Sequence, residues 1–341
     1  MLSVLLPTFN GEKFIDQIIK CILDQTYKNF EIIIVDDNST DKSKEILKKI
    51  KDNRFKIYFN VKNIGFPENI RKCYEKSNRR IIITLCQDDF IPNTLFENYY
   101  LIYKNFKNVN AISRNYFLYD KNKNTPFRLW KFNKIKKEKF IINKNSSLEE
   151  IRNFFSTLDN MTALSFRRLS FNPFHYKDLW TSHIYPFVYH MQKGDMMLIN
   201  KYMFTGTIHT NQSRLKKAYI KSPMDEWIRL CKEIKILGMG KISDYLIKEL
   251  VARNFVGLIQ IKIFSNYISI VNEIKRLIKY NIYNLLNIKF IFYSLLCIIF
   301  PKIIVSTISD FYKFKLSKFF LKRQNIRLYN KIINIGDESF K

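Results

Sequence analysis

Three apolar runs, each ending in polar or acidic residues, constrain this chain most. Ser3-Val4-Leu5-Leu6 leads into Pro7-Thr8-Phe9-Asn10-Gly11, Ile32 to Val35 into Asp36-Asp37, and Ile81 to Cys86 into Gln87-Asp88-Asp89. Each run has the length and β-branched content of a buried strand. Helical patterns lie between them. Over residues 12–25, Phe14, Ile18, Ile19, Ile22 and Leu23 recur at the helical period. Ser39 or Thr40 is placed to cap a helix that starts near Asp41 and carries Ile46, Leu47 and Ile50. Strand–helix alternation implies an α/β fold with a mostly parallel sheet and right-handed crossovers. In such sheets ligands bind beyond the carboxyl ends of the strands. Pro7-Thr8, Asp36-Asp37 and Asp88-Asp89 are therefore expected around one crevice. Paired carboxylates at the end of a buried strand are costly unless something neutralises them. A divalent cation that also holds a phosphate-bearing substrate would do so; a solvated turn is the alternative.

The same reading continues along the chain. A strand is predicted over Phe55–Phe59, then a turn at Asn63-Ile64-Gly65 and a helix from Pro67 to Ser77, with Pro67 in its first turn. Pro92 opens a further helix carrying Leu95, Tyr99 and Ile102. Residues 120–147 are rich in Lys and Asn and low in pattern, which predicts a mobile loop. Met161 to Phe166 is strand-like, 178–193 helical and closed by Gly194, and 195–208 reads as short strands. From about residue 222 the pattern is helical and basic. The run 290–300 (FIFYSLLCIIF) has 11 residues, too few to span a bilayer, which needs about 20. It suits a buried helix of a bundle or a helix on a membrane surface. The expected organisation is a domain over 1–215, with halves 1–120 and 121–215, and a basic helical region over 216–341.

The chain has 341 residues, 47% of them apolar, enough for a sizeable core. Its 58 Lys and Arg against 30 Asp and Glu give a net charge of +28, which favours an anionic partner. Part of that excess is compositional drift, since Lys, Asn and Ile are abundant throughout. Residues 251–341 hold 15 Lys or Arg against 4 Asp or Glu. Cys21, Cys73, Cys86, Cys231 and Cys297 are scattered and lack CxxC spacing, so they indicate neither a zinc site nor a disulfide framework. Buried thiols in a reducing compartment are expected. The N-terminus enters strand-like sequence at once, with no visible signal peptide.

PTFNGEKFI, QTYKNFEIIIVDDNSTD, NIG and QDD, in this order and spacing, resemble family 2 glycosyltransferases of the GT-A fold over about residues 1–210. The resemblance implies a Rossmann-like sheet flanked by helices, and a nucleotide-diphosphate sugar lying over the strand ends. By resemblance, Asp37 accepts a hydrogen bond from the base, with Pro7, Thr8, Asn10 and Asn63 nearby and Asp36 supporting the turn. Asp89 would ligate Mn²⁺ or Mg²⁺, and Asp88 would bind the ribose or assist the ion. Arg71, on the helix after Asn63-Ile64-Gly65, would meet the phosphates; a solvated helix-face charge is the alternative. Inverting transfer needs a base for the acceptor hydroxyl. The family places an Asp at the start of a helix that ends in Gly. Counting back from Gly194, His183 stands there, with Asp178 in reserve. His183 is otherwise a core or acceptor-binding residue. Trp180 would stack on an acceptor sugar, or else pack in the core. His209 stands where many members bring a metal-binding His toward the diphosphate, with Ser213 and Arg214 on the same loop.

The expected activity is an inverting transfer of a sugar, from a UDP-sugar by default, to a glycan or lipid-linked acceptor in bacterial surface polysaccharide synthesis. The expected place is the cytoplasm, with contact on the inner membrane face. A nucleotidyltransferase would want a Gly-rich basic loop after the first strand, and PTFNGEKF has one Gly. A nucleic-acid-binding protein is prompted only by charge, which is diffuse and without a recognition motif. An inactive scaffold is suggested by the replaced base and opposed by the two acidic pairs.

Overall fold

The computed structural model describes residues 1–120, 125–130, 138–207, 216–219 and 221–312. The chain forms two compact units. The first takes in Met1–Ser146 and Asn153–Ile208, the second Ser147–Arg152 and His209–Lys322.

The first unit is built on a nine-stranded sheet. Its strands are β1 (Leu2–Thr8), β2 (Phe30–Asp36), β3 (Phe55–Phe59), β4 (Ile81–Thr84), β5 (Val109–Asp120), β6 (Thr125–Trp130), β7 (Lys139–Ile142), β8 (Leu164–Arg167) and β9 (Asp195–Thr207). The order is β3-β2-β1-β4-β8-β5-β9-β7, with β6 paired to β5. Six of the nine strands run the same way; β6, β7 and β8 oppose them. The α/β class read from the sequence therefore holds. Helices α1 (Ile15–Leu23), α2 (Ser43–Lys48), α3 (Phe66–Lys76) and α4 (Leu95–Asn105) follow β1 to β4 in turn, and α5 (Leu148–Phe155) and α6 (Tyr185–Lys193) come later. β1 and β2 are sandwiched between helices, so nearly all their residues are buried. This explains their continuous apolar character. Even Glu31, in mid-strand, is buried, and it accepts hydrogen bonds from Ser3 Oγ at 2.6 Å and Lys56 Nζ at 2.7 Å.

Four expectations need correction. The span 120–147, read as a loop, contains β6 and β7. The short strands expected over 195–208 are the single strand β9. The helix over 178–193 begins as a 3-10 turn, Ser182–Ile184, and becomes α-helical at Tyr185. The predicted cap also fails. Ser39 Oγ donates to Asp36 and accepts from Asn10 N at 2.9 Å, so it ties strand tips together and does not start α2.

The second unit is helical among its described residues, with α7 (Pro223–Ile236), α8 (Gly240–Leu246), α9 (Gly257–Phe264), α10 (Tyr267–Tyr280), α11 (Ile288–Ile299) and α12 (Lys302–Phe311). Ser222, Asn266 and Asn287 cap α7, α10 and α11 through their side chains, satisfying donors that a helix start leaves open. All five cysteines are free, and only Cys86 is not fully buried.

His190 of α6 is buried, and its Nε2–H donates to Arg167 O at 2.7 Å. Burial lowers its pKa to about 4. As the pH falls below the unfolded value of about 6.5, the unfolded chain takes up this proton first. The stability that the neutral ring holds above that pH is therefore lost as the pH falls toward about 4. Thermal unfolding from pH 7 to pH 4 should show a smaller fall in Tm for His190→Gln than for wild type. Parallel falls would mean that the ring is open to solvent.

Candidate active site

The carboxyl ends of β1, β2 and β4 lie side by side. β1 pairs in parallel with β2, Thr8 opposite Asp36, and with β4, Leu5 opposite Thr84. Beyond the strands, Gln87 clamps the β1 tip. Its Oε1 accepts from Phe9 N at 3.1 Å and its Nε2 donates to Phe9 O at 2.9 Å. A Cβ on Gly11 would stand 2.5 Å from Gln87 Oε1, so a side chain there would displace the Gln87 amide from its bonds to Phe9. Asn10 takes a left-handed conformation, φ 47°, which Asn tolerates better than most residues. Its Oδ1 accepts from Thr40 N at 2.9 Å. Asp36 accepts from Ser39 N at 3.0 Å. Asp37 is buried and organises the next loop. Its Oδ1 accepts from Asn60 Nδ2 at 2.9 Å and Ile64 N at 2.8 Å, and its Oδ2 from Gly65 N at 2.8 Å. Asn63 Nδ2 donates to the Asp37 carbonyl at 3.1 Å. Gly65, at φ 84°, needs the left-handed freedom of glycine. Thr8 is buried, its hydroxyl donating to Leu6 O at 3.3 Å.

The Asp88-Asp89 tip is held by two distant segments. β9 bridges it, with Phe90 N donating to Thr205 O at 3.0 Å and Thr205 N to Phe90 O at 2.9 Å. Thr207 N donates to Asp89 Oδ1 at 2.9 Å, and the Thr207 hydroxyl to the Asp88 carbonyl. On the other side, the Thr162 hydroxyl donates to Asp89 Oδ2 while accepting from Cys86 N at 2.9 Å. Asp89 is thus buried and engaged on both oxygens, whereas Asp88 is half-buried. Burial, and then the charge of Asp88, push the Asp89 carboxyl well above the usual carboxylate range.

Arg114 of β5 fixes the loop that supplies Thr162. Its fully buried guanidinium donates to Thr162 O at 2.7 Å, Thr157 O at 2.8 Å and Asn160 O at 2.7 Å. It lies over the Phe204 ring, 4.5 Å from the centroid. The loop ends at Ala163, a left-handed residue with φ 58°, locked by Ala163 N to Thr84 O at 2.8 Å and by Tyr99 OH to Ala163 O at 2.5 Å. A non-glycine residue in this region costs about 1–3 kcal/mol and persists where its surroundings over-determine it.

His183 backs the same loop. Its Nε2 lies 2.7 Å from Leu158 O. A carbonyl only accepts, so Nε2 carries the proton and Nδ1 keeps its lone pair. Nδ1 is buried and has no hydrogen-bond partner. Burial lowers the His183 pKa to about 4, so the ring is neutral at pH 7. The Phe66 ring stands 6.5 Å from it. Asp159, missed in the sequence, is exposed on this loop and accepts from Tyr116 OH at 2.8 Å.

The other expected site residues divide. Asp178 is buried and accepts from Tyr185 OH at 2.8 Å and Thr181 Oγ1 at 3.3 Å, an arrangement that anchors the start of α6. Trp180 is partly exposed beside it. Arg71 turns to Glu75 in an ion pair of 3.1 Å on the surface of α3, the solvated alternative to a phosphate contact. Lys72, one residue on, instead reaches Asn60 Oδ1 at 2.9 Å and so adjoins the Asp37 network. His209, Ser213 and Arg214 lie outside the described residues.

The donor set suits a hard divalent cation. The ligand atoms of Cys86, Asp88 and Asp89 lie within 4.8 Å of one another. Burial and the adjacent carboxylates hold the Cys86 thiol well above its ordinary pKa, hence neutral, so the two carboxylates are the members of this group that could hold a hard divalent cation. A cation between them would also relieve the cost of two like charges there.

Residues 3–166 match the family model for glycosyl transferase family 2. Over 100 residues the chain is 41% identical to an uncharacterized glycosyltransferase of Haemophilus influenzae, an alignment covering 28% of this chain and 40% of that protein. It is 36% identical over 99 residues to the Escherichia coli UDP-Glc:alpha-D-GlcNAc-diphosphoundecaprenol beta-1,3-glucosyltransferase WfaP, covering 29% and 39%. The chain thus spans about 40% of the length of each. The structure of S. aureus TarS 1–349 in complex with UDP superposes with a TM-score of 0.60 at 15% identity, covering 82% of this chain and 80% of that one. That likeness bears on the fold. With the β-tip geometry, these matches show that residues 3–166, just under half of the chain, carry a domain of the glycosyl transferase family 2 type, and the structural likeness gives its fold.

Proposed function

We propose that this protein is an inverting glycosyltransferase that moves a sugar from a nucleotide-diphosphate donor to a lipid-linked glycan of the bacterial cell envelope. The observation that carries this reading is the acidic tip at the end of β4, set beside the tips of β1 and β2 and backed by the Arg114-held loop. UDP is the preferred nucleotide, in keeping with the UDP-Glc named for the E. coli relative. The same relative's diphosphoundecaprenol acceptor supports a membrane-borne substrate here. A nucleotidyltransferase is disfavoured, because Gln87 fills the space beside Gly11 where a triphosphate cradle would open.

In this reading Asp37 and the Asn60–Lys72 pair face the nucleoside side of the donor. Asp88 and Asp89 hold Mn²⁺ or Mg²⁺, and Asp88, the less buried, faces the diphosphate. Bound there, the ion would offset the negative charge that develops on the leaving diphosphate. Thr162 and Thr207 keep the Asp89 carboxylate in place, and Thr207 also holds the Asp88 backbone carbonyl. Arg114 is a positioning residue, acting through Thr162.

We assign the base role to His183. Its Nε2–H is committed to Leu158 O, which aims the ring and leaves Nδ1 as the nitrogen to take the proton of the acceptor hydroxyl, once neighbouring side chains move to uncover it. Asp159 carries the second reading, because it is an exposed carboxylate on the same loop. Trp180 offers a partly exposed ring for the acceptor sugar.

Transfer from UDP-sugars in the presence of Mn²⁺ tests these roles. Asp88→Asn should lower kcat/KM by about a thousandfold with an unchanged Tm; near-normal turnover would remove the cation site. His183→Ala should lower kcat by about a hundredfold or more, with donor KM within a few-fold. If Asp159→Asn shows that pattern and His183→Ala does not, the base is Asp159. Arg114→Lys retains the charge but loses the three-carbonyl grip, so kcat should fall more than donor KM rises. An unchanged kcat would make Arg114 purely structural.

A further inference from the structure

The second unit presents apolar side chains where a water-facing helix would carry charge. On α11, Phe290, Leu296 and Cys297 are buried, yet Ile288, Ile291, Phe292, Leu295 and Ile299 are each between 40% and 80% exposed. Their spacing of three, four, seven and eleven residues from Ile288 places them along one side of the helix. On α12, Val305 and Ser309 are buried while Ile303, Ile304, Ile308 and Phe311 are exposed. The 3-10 turn Ile282–Leu286 before α11 adds exposed Tyr283 and Leu286. Scattered exposed apolar residues are ordinary; two consecutive helices with apolar outer sides are not.

The surrounding charge is mainly positive, with exposed Asp310 the exception within 282–312. Within 282–312 the charged residues are Lys289, Lys302 and Asp310, and both lysines are exposed. The sequence from 313 to 331 then adds seven Lys or Arg and no Asp or Glu. A second copy would bring like charges together across the apolar face. Anionic headgroups would complement them. Spanning is excluded for these helices: at 12 and 10 residues they reach about 15–18 Å, against a hydrocarbon core of about 30 Å.

We propose that the exposed sides of α11 and α12 seat in the interfacial layer of an anionic bilayer, with Lys289 and Lys302 meeting the headgroups. This deepens the reading of a membrane-borne acceptor but stands on surface chemistry alone.

Co-sedimentation of the full chain with vesicles tests it. The probes are phosphatidylglycerol–phosphatidylethanolamine vesicles and phosphatidylcholine vesicles, with UDP binding by calorimetry on the same preparations. Wild type should partition onto the anionic vesicles roughly tenfold or more above phosphatidylcholine. The triple substitution Phe292→Ser, Leu295→Ser, Ile299→Ser should remove most of that binding while Tm and UDP affinity stay unchanged. Should the triple variant lose cooperative unfolding, Lys289→Glu with Lys302→Glu answers the same question through its loss of anionic-vesicle binding. Three results would overturn the proposal: wild type left in the supernatant, equal binding by the variants, or a wild-type dimer by light scattering that the triple substitution dissolves without any vesicle binding. Loss of UDP binding in every preparation would count against the transferase reading and leave the membrane result standing.

Discussion

The grip on the Asp89 carboxylate governs this molecule. A buried carboxylate beside a second one is an expensive arrangement. It persists because three chain segments far apart in sequence converge on it. β4 delivers the acids, the loop before β8 supplies the Thr162 hydroxyl, and the end of β9 supplies the Thr207 amide. Each such hydrogen bond contributes about 0.5–1.5 kcal/mol. The more exposed Asp88 takes a fixed position from this clamp, through the Thr207 hydroxyl on its carbonyl.

The clamp explains several residues that would otherwise look out of place. Arg114 sits in the middle of a buried strand, and its guanidinium is satisfied by carbonyls of a single loop. That loop is rigid because it is over-determined: Arg114 holds its interior and Tyr99 locks the left-handed Ala163 at its end. The same loop gives His183 its one hydrogen bond, through Leu158. The proposed base and the proposed cation ligands therefore lean on one loop, so a change in its shape would disturb both.

The halves of the site differed in how far they could be read in advance. β1 to β4 announce themselves because helices cover both faces of β1 and β2, and the strands become unbroken apolar runs. The acidic tips follow from where those runs stop. β5 gave no such signal. Asn110, Ser113, Arg114 and Asn115 interrupt its apolar pattern, and the last three are buried with partners that only the fold supplies. Thr162 was equally hidden, since its partner Asp89 lies 73 residues away. Arg71 was read two ways, as a phosphate contact or as a helix-face charge. A cation at the right place on α3 invited a phosphate role, but a Glu four residues on gives it a surface partner, and the neighbouring Lys72 reaches inward instead. The apolar run over 290–300 left open whether α11 is wholly buried, because periodicity does not say which side is covered.

The central claim is that Asp88 and Asp89 jointly bind a cation that holds the donor diphosphate. Calorimetry of UDP binding with and without Mn²⁺, on wild type and Asp88→Asn, tests it most directly. The account predicts that Mn²⁺ tightens UDP binding to wild type by about tenfold or more and leaves the variant unchanged. An equal response to Mn²⁺ in both proteins, or none in wild type, would contradict it.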